Sequence, residues 1–213
     1  MVCTANVCRS PYGEVVVADR LRAYGIDADV HSGGVRASIG EHACEAMWVA
    51  GVAQYPAGRT AQQVTPDDLA AADFVLAFER DHRSALIKMQ PSARARIFTF
   101  VEAASLAEAV VADGKALDIA LGRVPATDGH SLLGDVPELP TSIDGRAHWF
   151  ATEMNANRGL VPIDTIPNST LTVDGESIID PLFVKENVHP EVAALTVEYA
   201  DRWAAALRTC LNA

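Results

Sequence analysis

The chain has 213 residues, 49% hydrophobic and 21% charged, with 14 Gly and 11 Pro. That balance excludes a disordered, collagenous or disulfide-dense protein and suits a single domain with a sizeable core. Its 17 Lys and Arg stand against 28 Asp and Glu, a formal charge of −11, so a nucleic acid would meet net repulsion and is not an expected partner. No window approaches the roughly 18 apolar residues of a membrane helix. The opening Met1-Val2-Cys3-Thr4-Ala5-Asn6 has neither a basic nor an apolar leader, so the expected location is cytoplasmic.

The elements follow in chain order. Ser10-Pro11 ahead of Glu14, Val15, Val16, Ala18, Leu21 and Tyr24 predicts a helix with a Ser cap and Pro at its first position, ended by Gly25. Residues 28–32 read as a short strand that Gly33-Gly34 breaks. The runs 73–78 and 96–100 are stronger strands, rich in β-branched and aromatic residues. Helical stretches at 41–49, 66–71 and 81–89 separate them. Strands alternating with helices predict an α/β fold whose parallel sheet is covered on both faces, with its ligand beyond the carboxyl ends of the strands.

From Val101 an Ala-rich helix runs to about Ala112, after which Gly, Pro and Asp punctuate residues 113–145 as loop. A short helix at 146–158, an irregular stretch with Pro162, Pro167 and Gly175, and a helix from about Pro190 to Leu211 complete the chain. That last helix carries an apolar stripe of Val192, Leu195, Val197, Tyr199, Trp203, Ala206 and Leu207. A parallel core strand normally has about five residues, yet only Met1 and Val2 precede Cys3. The natural protein is therefore expected to begin upstream with residues that complete the strand.

Cys3, Cys8, Cys44 and Cys210 are expected to be reduced thiols, since nothing directs secretion. With no C-x2-C pair and no H-x3-H or H-x4-H pair, no metal site is expected.

The chemistry is concentrated in Cys3-Thr4-Ala5-Asn6-Val7-Cys8-Arg9-Ser10-Pro11. A cysteine stands six residues before an arginine across a loop of short side chains that leads into a helix. Backbone N–H groups of such a loop can form an anion nest, and the helix adds its positive end. The same field favours a thiolate at Cys3, which makes it a nucleophile. Arg9 can fork onto two phosphate oxygens, a geometry lysine cannot copy. From the residues alone a second reading stays open, a buried cysteine pair at the end of a core strand with Arg9 on the solvent face of the helix.

V-C-T-A-N-V-C-R-S-P resembles the active-site loop of the low-molecular-weight protein tyrosine phosphatases, V-C-x-G-N-x-C-R-S-P, with Ala5 in place of the usual glycine. His31-Ser32-Gly33-Gly34 resembles the family's S-A-G strand end, residues 72–76 its third strand, and Ser177-Ile178-Ile179-Asp180-Pro181 its late D-P loop, with its last helix behind. The resemblance covers about residues 1–112 and 176–211. It implies a Rossmann-like four-stranded parallel sheet with helices on both faces. Residues 113–175 would be an insertion between the fourth-strand region and the last helix, all within one domain spanning 1–213.

The resemblance further implies a metal-independent, cofactor-free hydrolase acting on phosphotyrosine in proteins and releasing inorganic phosphate. Cys3 becomes the phosphocysteine, and Arg9 with the amides of Thr4, Ala5, Asn6, Val7 and Cys8 holds the phosphate. Asp180 protonates the leaving oxygen and then activates water. Ser10 hydrogen-bonds the Cys3 sulfur, and Asn6 braces the loop. The resemblance also suggests that Cys8 is within reach of Cys3, so mild peroxide is expected to give a reversible Cys3–Cys8 disulfide with Cys44 and Cys210 uninvolved.

Departures mark other expectations. Arg59-Thr60-Ala61 replaces a segment that often carries His, so the brace on Asn6 differs. Leu182-Phe183 changes the rim, and Glu79 stands where Asp is frequent. His82, His130, His148 and His189 read as surface residues, and Trp48, Trp149 and Trp203 as core or insertion anchors. Thioredoxin-linked arsenate reduction would need relay cysteines, and none occurs between Cys44 and Cys210. Phosphoarginine phosphatases usually carry Thr where Val7 stands. A non-catalytic phosphate-binding module is the remaining alternative, and no sequence feature assigns an oligomeric state.

Overall fold

Among the described residues four very short strands make the sheet, and their order puts the start of the chain at its centre. In the computed structural model, which describes residues 1–48, 56, 58–112, 140, 142–163, 171 and 174–211, these are β1 (Val2–Cys3), β2 (Gly33–Gly34), β3 (Val75–Ala77) and β4 (Ile97–Thr99). They run parallel in the order β2-β1-β3-β4. Among the described residues the α-helices are α1 (Arg9–Ala23), α2 (Pro66–Ala71), α3 (Arg80–Met89), α4 (Phe100–Ala112), α5 (Ile143–Ala156) and α6 (His189–Leu211).

Side chains alternate across the sheet and divide the core in two. Val2, Val75, Ala77 and Ile97 point to one face, where Leu69 of α2 and Leu86 of α3 cover them. Cys3, Leu76 and Phe98 point to the other, beneath α1, α4, α5 and α6. Helices thus cover both faces, as a parallel sheet requires. Among the described residues no helix is long and apolar enough to cross a membrane.

β2 lies immediately after the expected strand at 28–32, on the glycines expected to break it. The reason is close approach of backbones. A Cβ on Gly34 would stand 2.6 Å from the Thr4 carbonyl oxygen, and one on Gly33 would stand 3.0–3.1 Å from Val64. A chain this close to two neighbours needs glycine, whatever its strand propensity. The helix expected at 41–49 is reduced to a 3-10 turn at Glu45–Met47, with Val49 outside the described residues. Its backbone is used elsewhere: Cys44 N–H donates to Val7 O at 2.8 Å and Ala61 N–H to Glu41 O at 2.9 Å.

The expected Ser10 cap of α1 is also corrected. The helix begins at Arg9 with Cys8 as N-cap and no side-chain cap, because the Ser10 hydroxyl is engaged by Cys3 and Asn6. Gly25, at φ 75°, lies just past the helix end, as expected.

The stretch 113–175, expected as an insertion, falls largely outside the described residues, but it contains α5. Phe150 and Met154 of α5 are fully buried in the core shared with α4 and α6, and the Phe150 ring meets Phe74 edge-on at 6.4 Å. Phe150→Ala is therefore expected to cost about 3–5 kcal/mol in urea unfolding. A loss below about 1 kcal/mol would mark α5 as surface decoration.

Candidate active site

The carboxyl ends of β1, β2 and β3 open on one edge, and the segment from Cys3 to Ser10 curls there. Its carbonyls are turned outward by the segment that follows β2. Val35, Arg36 and Ser38 donate their N–H groups to Cys3 O, Thr4 O and Ala5 O at 3.0, 2.9 and 3.0 Å. Asn6 takes a left-handed conformation, φ 57°, the only non-glycine among the described residues to do so. Such a residue in a tight turn directs successive N–H groups inward as an anion nest. Among the described residues, the N–H groups of Ala5 to Cys8 have no acceptor, and α1 starts immediately behind them.

The Asn6 side chain holds this strained turn. Its Nδ2 donates to Ser10 Oγ at 2.9 Å and to Ser32 Oγ at 2.7 Å, while its Oδ1 accepts the Gln62 N–H at 2.8 Å. Arg59 in turn donates to Ser32 Oγ at 2.9 Å and pairs with Glu14 at 2.7 Å. The brace on Asn6 is therefore Ser32, Gln62 and, through Ser32, Arg59. Ser10 Oγ lies 2.9 Å from Cys3 Sγ. Since Asn6 donates to Ser10, the Ser10 hydroxyl hydrogen is shared between the Gly33 carbonyl at 3.3 Å and the nearer Cys3 sulfur, where it can stabilise a thiolate.

Arg9 is fully buried, not on the solvent face of α1. Nη1 donates to Glu79 Oε1 and, at 2.7 Å, to the Ile178 carbonyl, and Nη2 donates to Asp180 Oδ2 at 2.7 Å. The guanidinium also lies 5.9 Å from the centroid of Phe78. Its Nε is buried and has no partner among the described residues, which leaves a charged donor available to an anion in the loop.

Asp180 reaches this edge because residues 174–178 are pinned to the start of α3. Asp174 accepts the N–H groups of Glu176 and Ser177 at 3.0 and 2.8 Å. Glu176 pairs with Arg80, and Ile178 N–H donates to Phe78 O at 2.9 Å. Beyond Asp180, Leu182 and Phe183 are 52% and 84% exposed, an apolar rim.

His82, expected at the surface, is buried, and its Nε2 shares a 2.8 Å hydrogen bond with Thr4 Oγ1. Burial first, then the charges of Arg9 and Arg36, push it from 6.5 down to about 3. It is a neutral support for the loop. The unfolded chain takes up this proton near the ordinary value and the folded chain only near the depressed one. The stability it contributes is thus complete above pH 6.5 and falls as pH drops towards 3, by up to about 1.4 kcal/mol per unit. Urea titrations of wild type and His82→Gln across that window should show a shallower loss in the variant, and equal slopes would contradict this role. His148 is exposed as expected, and His130 lies outside the described residues. Trp203 is buried, Trp149 packs on the core, and Trp48 packs edge-on against Tyr12 at 5.4 Å.

Cys8 faces the back of the loop. Its thiol hydrogen-bonds Cys44, which with burial pushes Cys8 above the usual thiol range. The same bond, outweighing burial, holds Cys44 below it, helped by the neighbouring backbone N–H groups of Ala46 and Met47.

Comparison with known proteins gives the family and the fold. A family model described as low molecular weight phosphotyrosine protein phosphatase matches residues 1–121. The protein-arginine-phosphatase of Bacillus subtilis is 30% identical over 105 residues, 47% of this chain and 68% of that protein. The low molecular weight protein-tyrosine-phosphatase PtpA of Staphylococcus epidermidis is 28% identical over 117 residues, 53% of this chain and 74% of its own. In fold, the crystal structure of the Erwinia amylovora tyrosine phosphatase AmsI superposes with a TM-score of 0.56 at 18% identity, covering 96% of this chain and 89% of that one.

Proposed function

We propose, since the chain belongs to the low molecular weight phosphotyrosine protein phosphatase family, that it hydrolyses phosphotyrosine in proteins through a phosphocysteine on Cys3. The observation that carries this reading is the 2.7 Å contact of Arg9 Nη2 with Asp180 Oδ2. It joins two groups far apart in sequence beside the loop that begins at Cys3.

In the first step the Cys3 thiolate attacks phosphorus as the bond to the aryl oxygen breaks. Arg9 and the N–H groups of residues 4–8 hold the non-bridging oxygens, where charge is stabilised without reorganisation. Asp180, protonated, gives its proton to the leaving oxygen. In the second step Asp180 takes a proton from water, the water oxygen bonds to phosphorus, and the phosphorus–sulfur bond breaks. Ser10 donates to the departing thiolate, and inorganic phosphate leaves.

Two features favour an aryl substrate. Val7 offers the loop no hydroxyl, and apolar side chains stand exposed on both flanking segments, Ile39 at 72% and Phe183 at 84%. Ile39 follows Ser38, which is bonded to Ala5, and Phe183 follows Asp180. Phosphoarginine is the second reading, favoured by the likeness to the Bacillus subtilis protein-arginine-phosphatase. Paired measurements of kcat/KM on a phosphotyrosine peptide and a phosphoarginine protein decide it. The expected result is preference for phosphotyrosine. The reverse order assigns phosphoarginine, and no turnover of either leaves a phosphate-binding module.

A further inference from the structure

Behind the phosphate loop, three side chains that the displacement does not use as reacting groups converge. The sulfurs of Cys8 and Cys44 and a ring nitrogen of His189 all lie within 4.8 Å of one another. They come from three separate places. Cys8 caps α1, Cys44 precedes the turn Glu45–Met47, and His189 opens α6. We propose that these three residues form a binding site for a zinc-type divalent cation, with water as fourth ligand.

The histidine is prepared as a ligand. Its Nδ1 hydrogen-bonds the Asn187 Oδ1 at 2.9 Å. An amide oxygen only accepts, so the ring proton sits on Nδ1 and the lone pair on Nε2. That Nε2 is buried and has no partner among the described residues. The Ala46 N–H lies at the Cys44 sulfur, while the Met47 N–H closes the turn on the Cys44 carbonyl at 3.2 Å, an outer shell of the kind that orients thiolate ligands. Two thiolates and one imidazole match zinc in softness and number, leaving one open position.

Distances fit as well. Zinc–sulfur bonds of about 2.3 Å and zinc–nitrogen bonds of about 2.0 Å in a tetrahedron place the ligand atoms roughly 3.5–3.8 Å apart. The three atoms need to close by little more than about 1 Å, which small side-chain rotations supply. Both cysteines bind as thiolates, the protons they still carry passing to solvent, and no oxidation state changes. The dication with two thiolates is neutral, so it can sit beside Cys8, which is only 3% exposed. A bound cation would clamp the phosphate loop to the start of α6, downstream of Asp180. This site is independent of which phosphoryl substrate the enzyme takes.

The test uses the reduced full chain and cobalt(II) as a spectroscopic probe. Expected are a thiolate-to-cobalt charge-transfer band and the intense visible bands of tetrahedral cobalt, saturating at one equivalent and erased by added zinc. Cys44→Ser and His189→Ala should weaken binding by at least about tenfold, while Cys3→Ser should leave it intact. Circular dichroism and metal-free phosphatase turnover, both expected to persist in Cys44→Ser and His189→Ala, establish that these variants fold. Absence of the bands overturns the proposal. So does a signal lost in Cys3→Ser but retained in Cys44→Ser, which would place the metal on the nucleophile.

Discussion

Arg9→Lys lowers kcat/KM for an aryl phosphate by about 10³-fold or more while leaving the protein folded. The magnitude follows from what the guanidinium does at this edge. It is fully buried, with Glu79 and Asp180 on its two terminal nitrogens and the Ile178 carbonyl beside them. Nε remains for the phosphate. Lysine keeps the charge that offsets the two carboxylates, so the penalty of stranded buried charge is avoided. It has no planar fork, and cannot hold Glu79, Asp180 and a phosphate oxygen at once. Transition-state donors of this kind contribute about 10²–10⁵-fold. Steady-state kinetics with circular dichroism on the same preparation reads both halves. A loss below about tenfold would remove Arg9 from phosphate binding.

Asp180→Asn should separate substrates by their leaving groups. With phenyl phosphate, whose leaving oxygen needs a proton, kcat should fall by about 10²–10⁴-fold. With para-nitrophenyl phosphate, which leaves readily as the anion, the loss should be at least about tenfold smaller. The substitution is nearly isosteric, and Asn can still accept the Leu182 N–H that Asp180 now holds at 3.2 Å, so the loop geometry is kept. Equal losses on the two substrates would make Asp180 an electrostatic partner of Arg9 and not the proton donor.

The strong helices are legible in sequence because local rules suffice for them. α2 spans 66–71 as expected, with Thr65 and Asp68 forming a reciprocal cap, and α6 begins one residue before Pro190. β2 is not legible, since its two residues have no side chains to show an alternation and are placed by how near Thr4 and Val64 come. For the same reason the helix expected at 41–49 fails, its N–H and carbonyl groups being spent on Val7 and Ala61.

The site divides along the same line. Cys3, Asn6, Arg9 and Ser10 lie in one contiguous stretch, so spacing exposes them. Asp180 is reached only through resemblance, and it lies outside the 1–121 matched by the family model. His82 looks like an ordinary polar residue on α3 until the fold brings Thr4 onto its ring. Ser32 and Gln62 gain their roles only from Asn6. Cys8, Cys44 and His189 share no metal-binding spacing, because each arrives from a different element.

The central claim is that Cys3 forms a covalent phosphocysteine. Its direct measurement is rapid acid quenching during turnover of an aryl phosphate by Asp180→Asn, whose second step lacks its base, followed by mass mapping of the peptides. The account predicts one phosphoryl group, carried on the sulfur of Cys3, absent from Cys3→Ser, with turnover of the otherwise wild-type Cys3→Ser enzyme abolished. Phosphate on any other residue, or a Cys3→Ser enzyme that still turns over, would contradict it.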